Sequence, residues 1–337
     1  MKKKMRKEVE GRTDNKSEPR ADVYARITGK ILAALEGGVR PWVQPWNSGH
    51  IAGRVSRPLR HNGEPYSGIN VLLLWSEATA RGYSASTWMT FRQAQELGAC
   101  VRKGETGSMV VYANRITKTE TNSSGRNVER DIAFLKAYTV FNVEQIDGLG
   151  ERYADRRNEI AQPVDRITEA DAFFAATGAT IHHGGSKAFY APGPDMIQMP
   201  PIETFRDVES YYATLAHETI HWAGADHRLD RDLSRYAQDR SERAREELIA
   251  ELGAVFLAAD LRISPEMEPR PDHASYLASW LQVLANDKRF IVQAAAQAQR
   301  AVSYLHDLQP HSRRNAVQGQ CTGCTASWSR VASPPGV

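Results

Sequence analysis

Cysteine is scarce. The 337 residues hold three, Cys100, Cys321 and Cys324, too few for a disulfide scaffold. No apolar run reaches the length of a membrane span. The opening MKKKMRKEVEGR is charged where a secretory signal would carry an apolar core. These absences point to a cytoplasmic protein with no membrane partner. The basic turn RKGETGS, residues 102–108, lacks the Walker A pattern, so nucleotide hydrolysis has no motif to rest on. No internal repeat is present, which excludes solenoids and propellers. Apolar content, by contrast, is ample: 41% of a chain this long supports packed cores in two domains.

Charge is unevenly placed. Residues 1–160 carry 26 Lys and Arg against 18 Asp and Glu, while residues 161–337 carry 17 against 22. The front is net +8 and the back net −5. A polyanionic partner for the front fits this balance, although a solvated basic tail gives the same count.

Patterning divides the chain in the same way. Residues 1–20 are polar, without apolar period, and read as a disordered basic tail. Helices are expected over ADVYARITGKILAALEGG, closed by Gly37 and Gly38, over residues 70–80, and over a short stretch from a Thr90 cap to Gly98. SMVVYANRI and IAFLKAYTVFNVEQI are extended and flank a polar turn at 122–127, as an antiparallel pair would. This is an α+β domain over 21–150, followed by a charged, apolar-poor linker at 151–166. The second domain, 167–308, reads as mainly helical with a small antiparallel sheet. It has a helix closed by Gly178, two short strands around Pro192, Gly193 and Pro194, helices over 202–222 and 242–261, and two more helices after them. Residues 309–337 read as a disordered tail; the Cys321–Cys324 pair in it has no second pair to complete a metal ribbon.

Chemistry is concentrated in LAHETIHW, residues 215–222. On a helix His217 and His221 stand one turn apart on one face, so their imidazoles can converge on one ion. Glu218 lies beside that ion, where it can hold a water. One Zn2+ is the expected cofactor. It would lower the water pKa, and Glu218 as general base would pass the proton to a leaving amine. Paired histidines also occur on solvated helix faces. REELIAELGA, residues 245–254, argues against that here: Glu247 and Glu251 share one face of a mostly apolar segment, and embedded carboxylates need a partner. Glu247 is assigned as third ligand, leaving the fourth position to water, and Glu251 as acceptor for the far nitrogen of His217. Glu246 reads as solvated, paired with Arg243 or Arg245. HETIHWAGADH offers a rival ligand, because Gly224 and His227 complete H-E-x-x-H-x-x-G-x-x-H. That reading lacks a packed methionine turn, since Met267 sits in ISPEMEPRP. Tyr236 is a candidate donor to an oxyanion. Tyr190, in the extended stretch before the motif helix, is a candidate contact to a peptide or protein substrate.

The basic half mixes aromatic and cationic residues as single-stranded nucleic-acid sites do. Trp42, Trp46 and Trp88 are the candidate stacking platforms. Arg54, Arg57, Arg60, Arg102 and Lys103 are the candidate phosphate contacts. The proline-punctuated PWVQPWNSG suits an exposed tryptophan, whereas Trp75 and Trp88 also suit a core.

Through PWVQPW, YSGINVLLLW, TWMTFRQAQELGACVRKGETGSMVVY and VFNVEQ, the first half resembles the N-terminal domain of ArdC-type plasmid antirestriction proteins. A related domain opens conjugative primases of the TraC type. YYATLAHETIHWAGADHRL and YAQDRSERAREELIAELGA resemble the zincin-like metallopeptidase domain of the same family, and both halves match in order over roughly residues 20–305. The resemblance implies a single-stranded-DNA-binding N-terminal domain, a metal-bound C-terminal domain, and protection of incoming plasmid DNA from restriction. It places the metal motif on His217, His221 and Glu247 and the general base on Glu218, which favours Glu247 over His227. Two other readings stay open: a cytosolic zinc metallopeptidase cleaving a protein near DNA, and a protein that coats single strands and uses its metal structurally.

Overall fold

The computed structural model describes residues 22–38, 40–42, 56–121, 127–153, 163–233, 235–236, 238–263 and 271–310. Both tails with Cys321 and Cys324, most of the 151–166 linker, Met267 and most of the turn at 122–127 lie outside them. Helix α1 (Val23–Glu36) starts at Asp22, whose side chain accepts from Tyr24 N, and turns Ile27, Ile31 and Leu35 inward. Strand β1 (Leu59–Arg60) precedes α2 (Ile69–Arg81). Then come β2 (Thr87–Met89) and α3 (Phe91–Glu96). Thr90 caps α3 through a reciprocal pair: its Oγ1 accepts from Gln93 N and its N donates to Gln93 Oε1.

After β3 (Cys100–Val101), β4 (Ser108–Thr121) and β5 (Asn127–Asn142) form the expected antiparallel ribbon, in register from Ser108↔Val140 to Thr121↔Asn127. β6 (Ile146–Asp147) pairs back with β3. The main sheet has the order β1-β2-β5-β4, so β4 is an edge. Asn70 covers that edge at Val111: its Oδ1 accepts from Val111 N at 2.7 Å and its Nδ2 donates to Val111 O at 2.8 Å.

The second domain runs α4 (Pro163–Thr177), β7 (Thr180–His183), β8 (Phe189–Ala191), β9 (Met196–Met199), α5 (Val208–Ala223), α6 (Arg240–Leu261), α7 (Pro271–Asn286) and α8 (Phe290–Asp307). β8 and β9 are the antiparallel hairpin read from sequence. β7 joins β9 in parallel, a non-local pairing that no local pattern announces. Helix α5 begins at Val208 rather than at 202, because Asp207 Oδ1 accepts from Ser210 N at 2.7 Å and from Ser210 Oγ at 2.6 Å. Residues 202–204 form a separate 3-10 turn. Among the described residues, no helix is long and apolar enough to cross a membrane.

The two domains share one apolar core, continuous from Ile27 through Trp75 and Phe256 to Leu305. Thr28 Oγ1 on α1 donates to Lys288 O at 2.7 Å. The rings of Trp75 and Phe256 lie 6.2 Å apart. Arg57 grips both carboxylate oxygens of Asp260 and donates to Gln299 Oε1 at 2.6 Å.

Helices α5 and α6 cross at Gly253. A Cβ there would sit 2.8 Å from Cδ1 and Cγ1 of Ile220, so the absent side chain lets the two backbones close together. Gly253→Ala should overpack this crossing and cost about 1–3 kcal/mol. Ile220→Ala should cost about 2–5 kcal/mol by leaving a cavity. In urea melts, the double variant should be more stable than the sum of the two losses predicts. Strict additivity would mean that the two residues do not clash.

Candidate metal centre

Nearly every residue of α5 from Ser210 to Ala223 is buried, so the H-E-x-x-H residues do not lie on a solvated face. His217 is 5% exposed, Glu218 6% and His221 7%. The crossing at Gly253 sets this face of α5 against Glu246, Glu247 and Glu251 of α6. The Nε2 atoms of His217 and His221 lie 3.1 Å apart. Glu247 Oε2 is 3.4 Å from His217 Nε2, and its Oε1 is 3.7 Å from His221 Nε2. One donor atom from each residue falls within 4.8 Å of the other two. Metal–donor bonds of about 2.0–2.1 Å place neighbouring donors about 3.0–3.4 Å apart, so the three suit a single ion.

The far sides of the histidines meet carboxylates. His221 Nδ1 faces Glu246 Oε1 at 3.1 Å, an arrangement that keeps the proton on Nδ1 and turns the Nε2 lone pair into the cluster. Glu246 is held in turn by Arg231, Nη2 to Oε1 at 2.7 Å and Nε to Oε2 at 3.1 Å. This corrects the solvated reading of Glu246. Its sequence neighbours turn elsewhere, Arg243 to Tyr236 O and Arg245 to Asp287, and the partner comes from the loop between the helices. Gly224 makes room for it, because a Cβ there would lie 2.6 Å from Arg231 Cζ. Glu251 Oε2 stands 4.0 Å from His217 Nδ1. Its Oε1 accepts from Arg40 Nη1 at 3.2 Å and Trp42 Nε1 at 3.4 Å, both from the N-terminal domain. The Tyr236 hydroxyl donates to Glu247 Oε1. Glu218 Oε2 accepts from Tyr190 N at 3.0 Å, and the Tyr190 hydroxyl donates to Asp195 Oδ1 at 2.9 Å.

His227 is not brought to this group. Its side chain is 56% exposed, with Nδ1 2.8 Å from Asp226 Oδ1 and Nε2 3.3 Å from Asp195 Oδ2. Arg228 closes the turn instead, stacked 3.9 Å from the Trp222 ring centroid and paired with Asp195. The longer histidine spacing is met along the chain and not in space.

The electrostatics favour a cation. Four buried carboxylates, Glu218, Glu246, Glu247 and Glu251, face two guanidiniums, Arg40 and Arg231, a surplus of two negative charges when the imidazoles are neutral. Burial alone would raise the Glu247 carboxyl, but the His217 hydrogen bond, the charges of His221 and His217, and the Tyr236 hydroxyl hold it down at about 2. Burial alone would lower His221, and the carboxylates Glu246, Glu247 and Glu218 raise it. A divalent ion supplies the charge this pocket calls for.

The residues proposed for DNA separate into two groups. Trp42 and Trp88 are buried, Trp42 edge-on to Trp280 at 5.9 Å and Trp88 against Tyr83 at 5.8 Å. Arg57 is buried in its pair with Asp260. These three fill the core and the seam between domains, where a large ring or a paired guanidinium gains more from burial than from solvent, and they offer no surface to a strand. Arg60, Arg102 and Lys103 are exposed, Arg60 beside Glu64 and Arg102 beside Glu105 and Asp147. Trp46 and Arg54 lie outside the described residues.

Comparison with known proteins extends this geometry. Residues 21–141 match the N-terminal domain of anti-restriction factor ArdC, and residues 168–297 match a zincin-like metallopeptidase family. The metal-free crystal structure of antirestriction protein ArdC from plasmid R388 is 45% identical, with a TM-score of 0.72, over 86% of this chain and 98% of that one. The Mn(II)-bound structure of the same protein gives 0.69 at 45% identity. Protein y4eC of Sinorhizobium fredii, described as uncharacterised, is 41% identical over 80% of this chain and 87% of its own length. DNA primase TraC of Escherichia coli is 36% identical over 72% of this chain, which spans 23% of the primase. The Mn(II)-bound relative overturns the expectation of zinc. Two imidazoles and one carboxylate, with no thiolate, form a donor set open to several divalent ions. The chain belongs to the ArdC family of antirestriction proteins, with that family's single-stranded-DNA-binding type of N-terminal domain ahead of a zincin-like metallopeptidase domain, and it is related to the TraC primases.

Proposed function

We propose that this protein binds single-stranded DNA through a domain over residues 21–150 and protects incoming plasmid or mobile-element DNA from restriction. Its domain over 167–308 holds one divalent cation on His217, His221 and Glu247. The observation that carries the metal assignment is the convergence of those three side chains in a buried pocket with two surplus negative charges. Manganese(II), the ion in the R388 relative, is the first to test. When bound, such an ion supplies Lewis acidity to a water or a carbonyl. Glu246 and Glu251 orient the histidines.

A second reading, peptide hydrolysis, is favoured by the placement of Glu218. Its carboxylate is buried next to the histidines and is held by the backbone amide of Tyr190 on β8, an edge strand. From there it would accept a proton from water and deliver it to a leaving amine. Tyr190 would then line the approach of a peptide, and Tyr236, already on Glu247, is the candidate donor to an oxyanion.

Five variants test these roles. Mn(II) titration followed by electron paramagnetic resonance should show Glu247→Ala losing at least about 100-fold in affinity and His227→Ala unchanged; the reverse would transfer the third ligand to His227. Glu218→Gln should keep Mn(II) and DNA affinity. If transferred DNA is still protected by that variant, hydrolysis is not the protective activity. Trp42→Phe keeps a ring and removes the donor to Glu251, and should weaken Mn(II) about 10-fold. Trp88→Phe, equally buried but remote from Glu251, should leave Mn(II) affinity unchanged.

A further inference from the structure

Helix α6 carries Glu247 together with two anchors for the N-terminal domain. The first anchor is Glu251. Its Oε2 faces His217 Nδ1 at 4.0 Å, and its Oε1 accepts from Arg40 Nη1 at 3.2 Å and Trp42 Nε1 at 3.4 Å. Trp42 is 1% exposed and lies edge-on to Trp280 of α7 at 5.9 Å. Trp280 Nε1 donates to Ala244 O of α6 at 2.9 Å, so the Trp42 indole is wedged where α6 and α7 meet. The second anchor is Asp260, about 13 Å further along the helix. Both its oxygens accept from Arg57, and Oδ2 also lies 3.0 Å from His306 Nε2 of α8. Gln299 of α8 holds the N-terminal domain twice, accepting from Arg57 Nη1 at 2.6 Å and from Gly68 N, just ahead of α2, at 3.4 Å. Trp75 of α2 is buried with its ring 6.2 Å from that of Phe256, which stands between the two anchors along α6. Separate domains commonly meet through small, polar interfaces and move independently. This seam is of the other kind. Parting the domains would expose Trp42, Trp75 and Phe256 to water and take the guanidiniums of Arg40 and Arg57 away from Glu251 and Asp260.

We propose, on the reading of His217, His221 and Glu247 as a cation site, that the two domains unfold as one unit. Filling the site in the C-terminal domain then stabilises the fold of the N-terminal domain as well, with Glu251 as the direct link. A ligand that binds only the folded state draws the chain away from unfolding by mass action. The gain reaches every segment whose opening requires the ligand to be lost. Trp42 is a positioning residue in this arrangement, acting on His217 through Glu251. The divalent ion serves as a stabiliser of the N-terminal fold, whatever reaction it supports.

Hydrogen exchange of the full chain, with and without Mn(II) at about 100 times its dissociation constant, tests the shared unit. The slowest amides of α5 should exchange about 100-fold more slowly with the ion, and those of α2 should gain the same factor. In Glu247→Ala neither helix should gain more than about twofold. A gain in α5 with none in α2 would overturn the shared unit and leave the cation site standing. A full gain in Glu247→Ala would overturn it as well, because the ion would then act from another place. Failure of the wild-type protein to bind Mn(II), read by electron paramagnetic resonance, would overturn both the cation site and the coupling. The link through Glu251 is read from Mn(II) affinity in a double-variant cycle. Trp42→Phe should weaken binding about 10-fold in the wild-type background and less than about twofold when added to Glu251→Gln. A further loss of about 10-fold in the double variant would overturn Glu251 as the link.

Discussion

The structure turns on the close crossing of α5 and α6. Gly253 against Ile220 brings two backbones near enough for imidazoles on one helix to meet carboxylates on the other. Everything chemical in the C-terminal domain depends on that approach. His217 and His221 would be ordinary buried histidines without Glu247 between them, and Glu246 and Glu251 would be costly buried charges without the histidines and arginines they face. The cluster is a set of mutually dependent groups rather than a motif with accessories. This is also why it is buried so completely: each imidazole, and each of Glu246, Glu247 and Glu251, faces a group of opposite character supplied by the crossing or by the loops around it.

Those loops tie the two domains together. Arg40 and Trp42, ahead of the main sheet, end on Glu251, and Arg57 ends on Asp260 of the same helix α6. Helix α6 thus faces His217 and His221 with Glu246, Glu247 and Glu251, and meets the N-terminal domain through Glu251 and Asp260. The N-terminal domain is part of the wall of the candidate metal centre, and the apolar core runs through both domains without a break.

Much of this is legible in the sequence, and the gaps have physical causes. Helical periodicity located α1 and α2, with a glycine stop closing α1, and the threonine cap located α3. The alternation of β-branched and aromatic residues located the ribbon. The embedding of Glu247 and Glu251 in an apolar helix pointed to the histidines, because a buried carboxylate signals its own need for a partner. Three features were hidden. The parallel pairing of β7 with β9 is a non-local contact that leaves no periodic mark. Glu246 looked solvated because arginines stand near it in sequence, whereas its partner Arg231 arrives through a loop; the only trace was Gly224, whose missing side chain accommodates the guanidinium. Trp42 and Trp88 resemble a binding surface in sequence because composition cannot tell a ring that stacks on a ligand from one that fills a seam. The identity of the metal was misread for a related reason: H-E-x-x-H specifies geometry, and nitrogen and oxygen donors at that geometry accept more than one ion.

The Asn70 carboxamide occupies the outer edge of β4 at Val111 the way a neighbouring strand would, matching one donor and one acceptor. It thereby fixes which residue of β4 sits at the rim of the body, while β2 anchors β5 on the other side. In a two-stranded ribbon a slip of one residue exchanges the faces. A single uncharged side chain at the strand's edge therefore helps decide which way Tyr112, the next residue along, turns its exposed ring: the outlook of an aromatic group is set in part by a neighbouring amide.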